Sequence, residues 1–145
     1  MAIYSMSQRT IVTAAAGATW EVRTTASTRS TILEFGFSQV TAVAGTYGFG
    51  RPAAIGGTPT SPQAFLPDDV GEPAGLTTCC VAWGVGPTVP ANFSRRVTCP
   101  ATIGAGIIWT FPRGFIIPIS GSVGSLVLWV IATAPVLDVW AVENE

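Results

Sequence analysis

Side chains along this sequence keep a period of two almost throughout, and that regularity decides most of what it can fold into. Between Ala18 and Thr24, Ala18, Trp20 and Val22 face one way and Thr19, Glu21 and Arg23 the other, as in a strand buried on one face. Leu33, Phe35 and Phe37 share a face against Glu34 and Ser38, and the apolar phase then moves to Val40 and Ala42. A one-residue shift in mid-run predicts a bulge or bend near Ser38-Gln39. The pattern predicts further strands at 77–83, 93–99, 106–111, 115–119, 125–132 and 137–142, and a short one at 47–49. A first strand is predicted around Thr10 and Val12, preceded by an extended arm. No stretch of eleven or more residues holds a helical period.

Glycine and proline punctuate these runs. Gly84-Val85-Gly86-Pro87 ends one strand, Pro112-Arg113-Gly114 predicts a tight connection, and Ser120-Gly121-Ser122-Val123-Gly124 another. The Pro/Gly-rich segment 51–75 is too long for an incidental loop in a compact domain. Its anchors Phe65, Leu66 and Val70 predict an ordered loop lying across its own body or a neighbour. The run 126–132 is apolar on both faces, as in a central strand covered on both sides. In 137–142, Asp138 shares a face with Trp140 and Val142, which predicts a rim or a face that meets another subunit. The expected architecture is all-β: a two-sheet antiparallel sandwich, jelly-roll-like, forming a single domain over residues 1–145. Residues 1–8 form its extended N-terminal arm and 51–75 its long loop.

Composition matters because such a sandwich has two outer faces to solvate. Hydrophobic residues make up 48% of the chain and charged residues 10%, against about 25% charged in an ordinary soluble domain. Either a membrane or a large protein assembly must absorb that surface. The longest apolar run, 126–132, falls well short of the ~20 residues of a spanning helix. Transmembrane barrels need many strands of roughly ten residues, more and longer than these. The first nine residues lack a basic start followed by an apolar stretch, so no signal peptide is expected. An obligate assembly is the remaining expectation, with interfaces of about 2,000–5,000 Å² that resemble a core cut in half.

Few residues are available for chemistry. There is no histidine and no lysine; the seven basic residues are arginines, and the net charge is −1. No basic stripe exists to displace counterions from a nucleic acid, and Arg95-Arg96 reads as an edge-strand charge or a subunit contact. The cysteines are odd in number, and Cys79 and Cys80 must point to opposite faces of a strand, so Cys79, Cys80 and Cys99 read as small buried hydrophobes. Asp68, Asp69 and Glu72 allow three readings: solvated turn residues, a calcium site or an acid–base pair. The first is the commonest fate of neighbouring acids in a proline-rich loop. Gly48, Gly50, Gly56 and Gly57 match no phosphate-binding spacing. Trp20, Trp83, Trp109, Trp129 and Trp140 point to core or interface packing, with Trp83 the most exposed candidate for a sugar platform. No enzyme, cofactor or metal site is expected.

Ile-Trp-Thr-Phe-Pro at 108–112, Phe-Ile-Ile-Pro at 115–118, Gly-Ser-Leu-Val-Leu-Trp at 124–129 and Leu-Asp-Val-Trp-Ala-Val-Glu at 137–143 together resemble the small structural proteins of tailed bacteriophages. The pattern is similar in particular to jelly-roll decoration (cement) proteins that clamp the outside of a capsid. The resemblance implies a virion structural protein, a homotrimer on the outer capsid surface that binds the major capsid protein. The acidic pI of about 5.3 agrees with a place away from packaged DNA. Tyr4 and Met6 in the arm, Phe65 and Leu66 in the loop, and Arg95 and Arg96 would be its partner-binding residues. A phage tail or baseplate component and a carbohydrate-binding sandwich, with Trp83 or Trp109 stacking on a sugar, are the other two readings.

Overall fold

A computed structural model describes residues 2–11, 17–24, 28–117, 124–133 and 135–145. Eleven strands fall in chain order: β1 (Ile3–Arg9), β2 (Gly17–Arg23), β3 (Ser30–Gln39), β4 (Gly45–Gly50), β5 (Gln63–Ala64), β6 (Leu66–Pro67), β7 (Thr78–Cys80), β8 (Arg95–Cys99), β9 (Gly106–Ile117), β10 (Ser125–Ala132) and β11 (Leu137–Asn144). They form two antiparallel sheets packed as a sandwich, one of five strands in the order β6-β1-β11-β3-β9 and one of six in the order β5-β7-β2-β10-β4-β8.

Alternation builds the core between them. Trp20 and Val22 of β2, Leu126, Leu128 and Val130 of β10, and Tyr47 and Phe49 of β4 face inward from the six-stranded sheet. Ile32, Phe35 and Phe37 of β3, with Leu137, Val139 and Ala141 of β11, meet them from the other. Aromatic rings fill the middle: Phe35 stacks on Phe49 with centroids 4.4 Å apart, and Trp20 and Trp109 flank Phe35 at 5.1 and 6.0 Å. Offset and tilted ring pairs of this kind contribute about 0.5–1.5 kcal/mol each beyond the area they bury. As the two-sided apolar run implies, β10 lies inside its sheet, between β2 and β4.

Four expectations need correction. Residues 3–9 are no free arm: β1 pairs with β11 along its whole length, from Ile3 opposite Asn144 to Arg9 opposite Asp138. Its alternation turns Tyr4 and Met6 into the core. The strand placed around Thr10 and Val12 is therefore displaced to β1; Thr10 lies just beyond it, and Val12 is outside the described residues. The bulge in β3 is not at Ser38-Gln39 but at Leu33, which has no partner in the register with β11, where Val142 faces Glu34 and Glu143 faces Ile32. Leu33 takes up the extra residue, so Ile32 rather than Leu33 joins Phe35 and Phe37 inside. β3 ends at Gln39, whose side-chain amide donates to the Tyr47 hydroxyl at 2.7 Å. Finally, Pro112-Arg113-Gly114 makes no hairpin turn. β9 continues through it from Gly106 to Ile117 but bulges there. Phe111 to Gly114 have no partner in the register with β3, which steps from Thr110 to Phe115 across Leu33 alone. Gly114 takes φ +69°, a backbone conformation that favours glycine. Of the expected turn at 120–124, residues 120–123 lie outside the described residues, as do Pro118 and Ile119.

The segment 51–94 runs largely over its own body. Isolated bridges join Ala54 to Thr88 and Pro59 to Trp83. Gln63–Ala64 then pairs with β7 in the six-stranded sheet, and Leu66–Pro67 with β1 in the five-stranded one. Phe65 sits between them, fully buried, and pins the crossing to the core. Helices are absent among the described residues, so none is long and apolar enough to cross a membrane.

Candidate functional site

The two sheets treat their outer faces differently. On the six-stranded sheet, the outward side chains Thr19, Glu21, Ser125, Val127 and Trp129 are as buried as the core, because the strands of chain 51–62 and 81–94 roof them. Phe93 lies 5.6 Å from Trp129, centroid to centroid, and rests on Gly48, where a β-carbon would collide with its ring. Glu21 accepts a hydrogen bond from the Trp83 indole N–H at 2.5 Å and forms an ion pair with Arg23, whose guanidinium also donates to the Gly56 carbonyl at 3.3 Å. A carboxyl so far from water is tolerable because it is paired and hydrogen-bonded.

Nothing among the described residues roofs the five-stranded sheet. Alternation places Ile3, Ser5 and Ser7 of β1, Trp140 and Val142 of β11, Gly36 and Ser38 of β3, and Ile108 of β9 on its outer side. Leu66 is 68% exposed, Ile108 56% and Ile3 46%. Serines and glycines keep the face low between these apolar side chains. The Trp140 ring lies flat over Gly36, and its indole N–H donates to Glu34 at 3.3 Å. A shallow trough of about 410 Å³ runs between β1 and β11, lined by Ser5, Met6, Ser7, Leu66, Trp140, Ala141 and Val142. Arg9 grips Asp138 at one end with two hydrogen bonds of 2.7 and 2.9 Å. The face that the sequence marked through Asp138, Trp140 and Val142 thus carries a mainly apolar trough around Leu66, Trp140 and Val142, bordered by serines, Glu34 and the Arg9–Asp138 pair.

The residues singled out from the sequence divide between core and surface. Tyr4, Met6 and Phe65 are buried within this chain, while Leu66, Arg95 and Arg96 are exposed. Leu66 alone of the six lies on the bare face; Arg95 and Arg96 lie on β8, the edge strand of the other sheet. Asp68, Asp69 and Glu72 line a hollow with Ala2 and Ile3, but no group of three metal-ligating side chains converges among the described residues. Trp83 and Trp109 make poor sugar platforms: Trp83 is committed to Glu21 and packed on Gly56, and Trp109 is stacked in the core. Cys79 and Cys80 do point to opposite faces. Cys79 reaches the Met6 sulfur at 3.3 Å inside, and Cys80 lies near Glu21 under the roof. Burial pushes both thiols up to about 12, which keeps them protonated and unreactive.

Two buried acids escaped sequence reasoning. Glu21 alternates outward and carries the pattern of a solvent-facing residue. Glu143 lies on the inner face of β11, fully buried, and accepts a hydrogen bond from the Ser30 hydroxyl. Its pKa is pushed up to about 8, chiefly by burial and secondarily by Glu145, with Thr77 acting in the opposite direction. The period-two register of Leu137, Val139, Ala141 and Glu143 was the available signal, since it sets Glu143 on the core side. Comparison with known proteins yields no match, whether to a family model, a curated protein or a solved structure.

Proposed function

We propose that this chain is a non-enzymatic virion structural protein that decorates and stabilises a bacteriophage capsid, seating the outer face of its five-stranded sheet on major capsid protein subunits. One observation carries the reading: among the described residues the apolar side chains Leu66, Trp140, Val142 and Ile108 have no cover, although the same chain lays residues 51–62 and 81–94 over the other sheet. A surface of that kind marks a protein contact, and the scarcity of charge extends the argument to the whole exterior. We read the orders β1-β11-β3-β9 and β2-β10-β4-β8 as a jelly roll, an arrangement common to viral capsid proteins and lectins. Fold alone does not assign function, so the face bears the weight and the fold is only compatible with it.

Quantitative mass spectrometry of purified particles, from a host lysate carrying this gene, tests the reading. The chain should occur in a copy number comparable to that of the shell protein. A few copies per particle would move it to the tail or baseplate, and absence from particles would overturn the reading. Leu66→Glu combined with Val142→Glu places charge on the bare face without touching the core; this variant should fold normally and be missing from particles.

A further inference from the structure

Opposite edges of the sandwich carry opposite charge, and among the described residues neither charge is answered by an ion pair. In strand order, β5 and β6 close one edge and β8 and β9 the other. The turn that follows β6 presents Asp68, Asp69 and Glu72, all exposed. It is held in shape by the Gly71 N–H, which donates to Asp69 Oδ1 at 2.9 Å, and by the Glu72 N–H, which donates to the Asp69 carbonyl at 3.1 Å. At its tip Val70 is 99% exposed, an apolar knob between carboxylates. On the far edge, Arg95 of β8 and Arg113 of β9 flank a groove of about 430 Å³ whose walls include Phe111, Pro112 and Phe115. The Arg95 guanidinium stands 5.7 Å over the Phe111 ring. Among the described residues the ion pairs are Arg9–Asp138 and Arg23–Glu21, so the three acids and the two groove arginines lack a partner of opposite charge.

We infer that the acidic knob at one edge docks into the arginine-rimmed aromatic groove at the opposite edge of a second copy of this chain. Val70 enters against Phe111 and Phe115 while Asp68, Asp69 and Glu72 meet Arg95 and Arg113. Complementary patches at two different places on one molecule make a head-to-tail contact, which repeats until it closes a ring or runs on as a filament. β9 adds to the case. It is paired only with β3, and such an edge is a template for contact with another chain unless something covers it. This inference rests on reading the chain as an assembling subunit, but it uses the edges and leaves the bare face free for the capsid.

Light scattering on the purified full chain, across a range of concentrations, tests it with two charge reversals. Asp68→Arg/Asp69→Arg/Glu72→Arg and Arg95→Glu/Arg113→Glu should each fall to the molar mass of one chain, with an unchanged circular dichroism spectrum. An equimolar mixture of the two should regain the wild-type mass, because each then offers the charge the other requires. Wild-type protein should also lose mass as salt rises, since exposed charges are screened. A wild type that is monomeric at the highest reachable concentration overturns the inference, as does a wild-type mass that ignores salt and survives both reversals. Neither of those results depends on particle binding, which is read separately through Leu66 and Val142.

Discussion

On the six-stranded sheet the outward Glu21, Val127 and Trp129 are as dry as a core, whereas on the five-stranded sheet the outward Ser7, Ile108, Trp140 and Val142 reach solvent to differing degrees. Both faces use the same device for packing an aromatic ring flat against a strand: Gly48 receives Phe93 on one, and Gly36 receives Trp140 on the other. The difference lies in what comes next. Phe93 is part of a segment pinned by bridges at Ala54–Thr88 and Pro59–Trp83, while Trp140 belongs to the sheet it covers and has no second layer above it among the described residues. An outer face therefore becomes interior only when another stretch of chain arrives to cover it, and the uncovered one is where a partner has room.

The sharpest test of that contrast is a pair of tryptophans. Trp129→Ala should cost the isolated chain about 3–5 kcal/mol, the usual range for truncating a fully packed aromatic. Trp140→Ala should cost roughly 1 kcal/mol, the range of a surface-proximal truncation with one hydrogen bond, and should act on partner binding instead. Chemical denaturation of both variants checks this, and equal losses would break the comparison. Beneath the same roof, Glu21→Ala strands the Arg23 guanidinium and the Trp83 indole N–H without their acceptor. Removing one partner of a buried ion pair typically costs about 3 kcal/mol or more, so the midpoint should drop nearly as far.

How much of this the sequence disclosed follows from which interactions are local. Alternation within β2, β3, β10 and β11 is a property of neighbouring residues, and it announced both the all-β sandwich and the face shared by Asp138, Trp140 and Val142. What alternation cannot reveal is a second layer. Glu21 looks solvent-facing because Thr19 and Arg23 flank it, and only the arrival of Trp83, sixty-two residues later, makes its site interior. Tyr4 and Met6 looked like anchors for a neighbour because their strand partner, β11, lies at the other end of the chain. Leu33 was assigned inward because a bulge that skips one residue leaves no mark in composition. The acidic and basic edges were likewise invisible, since Asp68 and Arg113 are brought to opposite sides by strand order alone.

Between the roofed and bare faces lies the core, and Glu143 makes it pH-sensitive. Its folded pKa of about 8 stands above the ordinary value of 4.5. The folded chain therefore holds a proton that the unfolded chain has released between those two values. Stability is highest near the lower value, falls as pH rises toward about 8, and is level beyond it, with a slope of about 1.4 kcal/mol per pH unit at most inside the window. Denaturation midpoints measured across that range should decline for the wild type and stay flat for Glu143→Gln. A wild-type midpoint that rises toward pH 8 would contradict the assignment of a neutral, buried carboxyl.

The smallest expected effect is the one that measures how bare the five-stranded face is. Arg9 and Asp138 make a two-fold hydrogen-bonded pair as good in geometry as any in the chain, yet their side chains are 63% and 46% exposed. The Arg9 guanidinium, mainly by hydrogen bonding, holds the Asp138 pKa below its ordinary value. Any stability this supplies is present above the usual carboxyl pKa and is lost only as pH falls below it. Water screens such a pair, and exposed ion pairs commonly contribute next to nothing. Asp138→Asn should therefore leave the thermal midpoint at neutral pH unchanged, in contrast to Glu21→Ala. A large loss would mean that the pair is already desolvated in the free protein, with the five-stranded face covered by another copy before any other partner is met. In that event the bare face, and not the charged edges, would be the self-association surface, and the two roles assigned to face and edge would have to be exchanged.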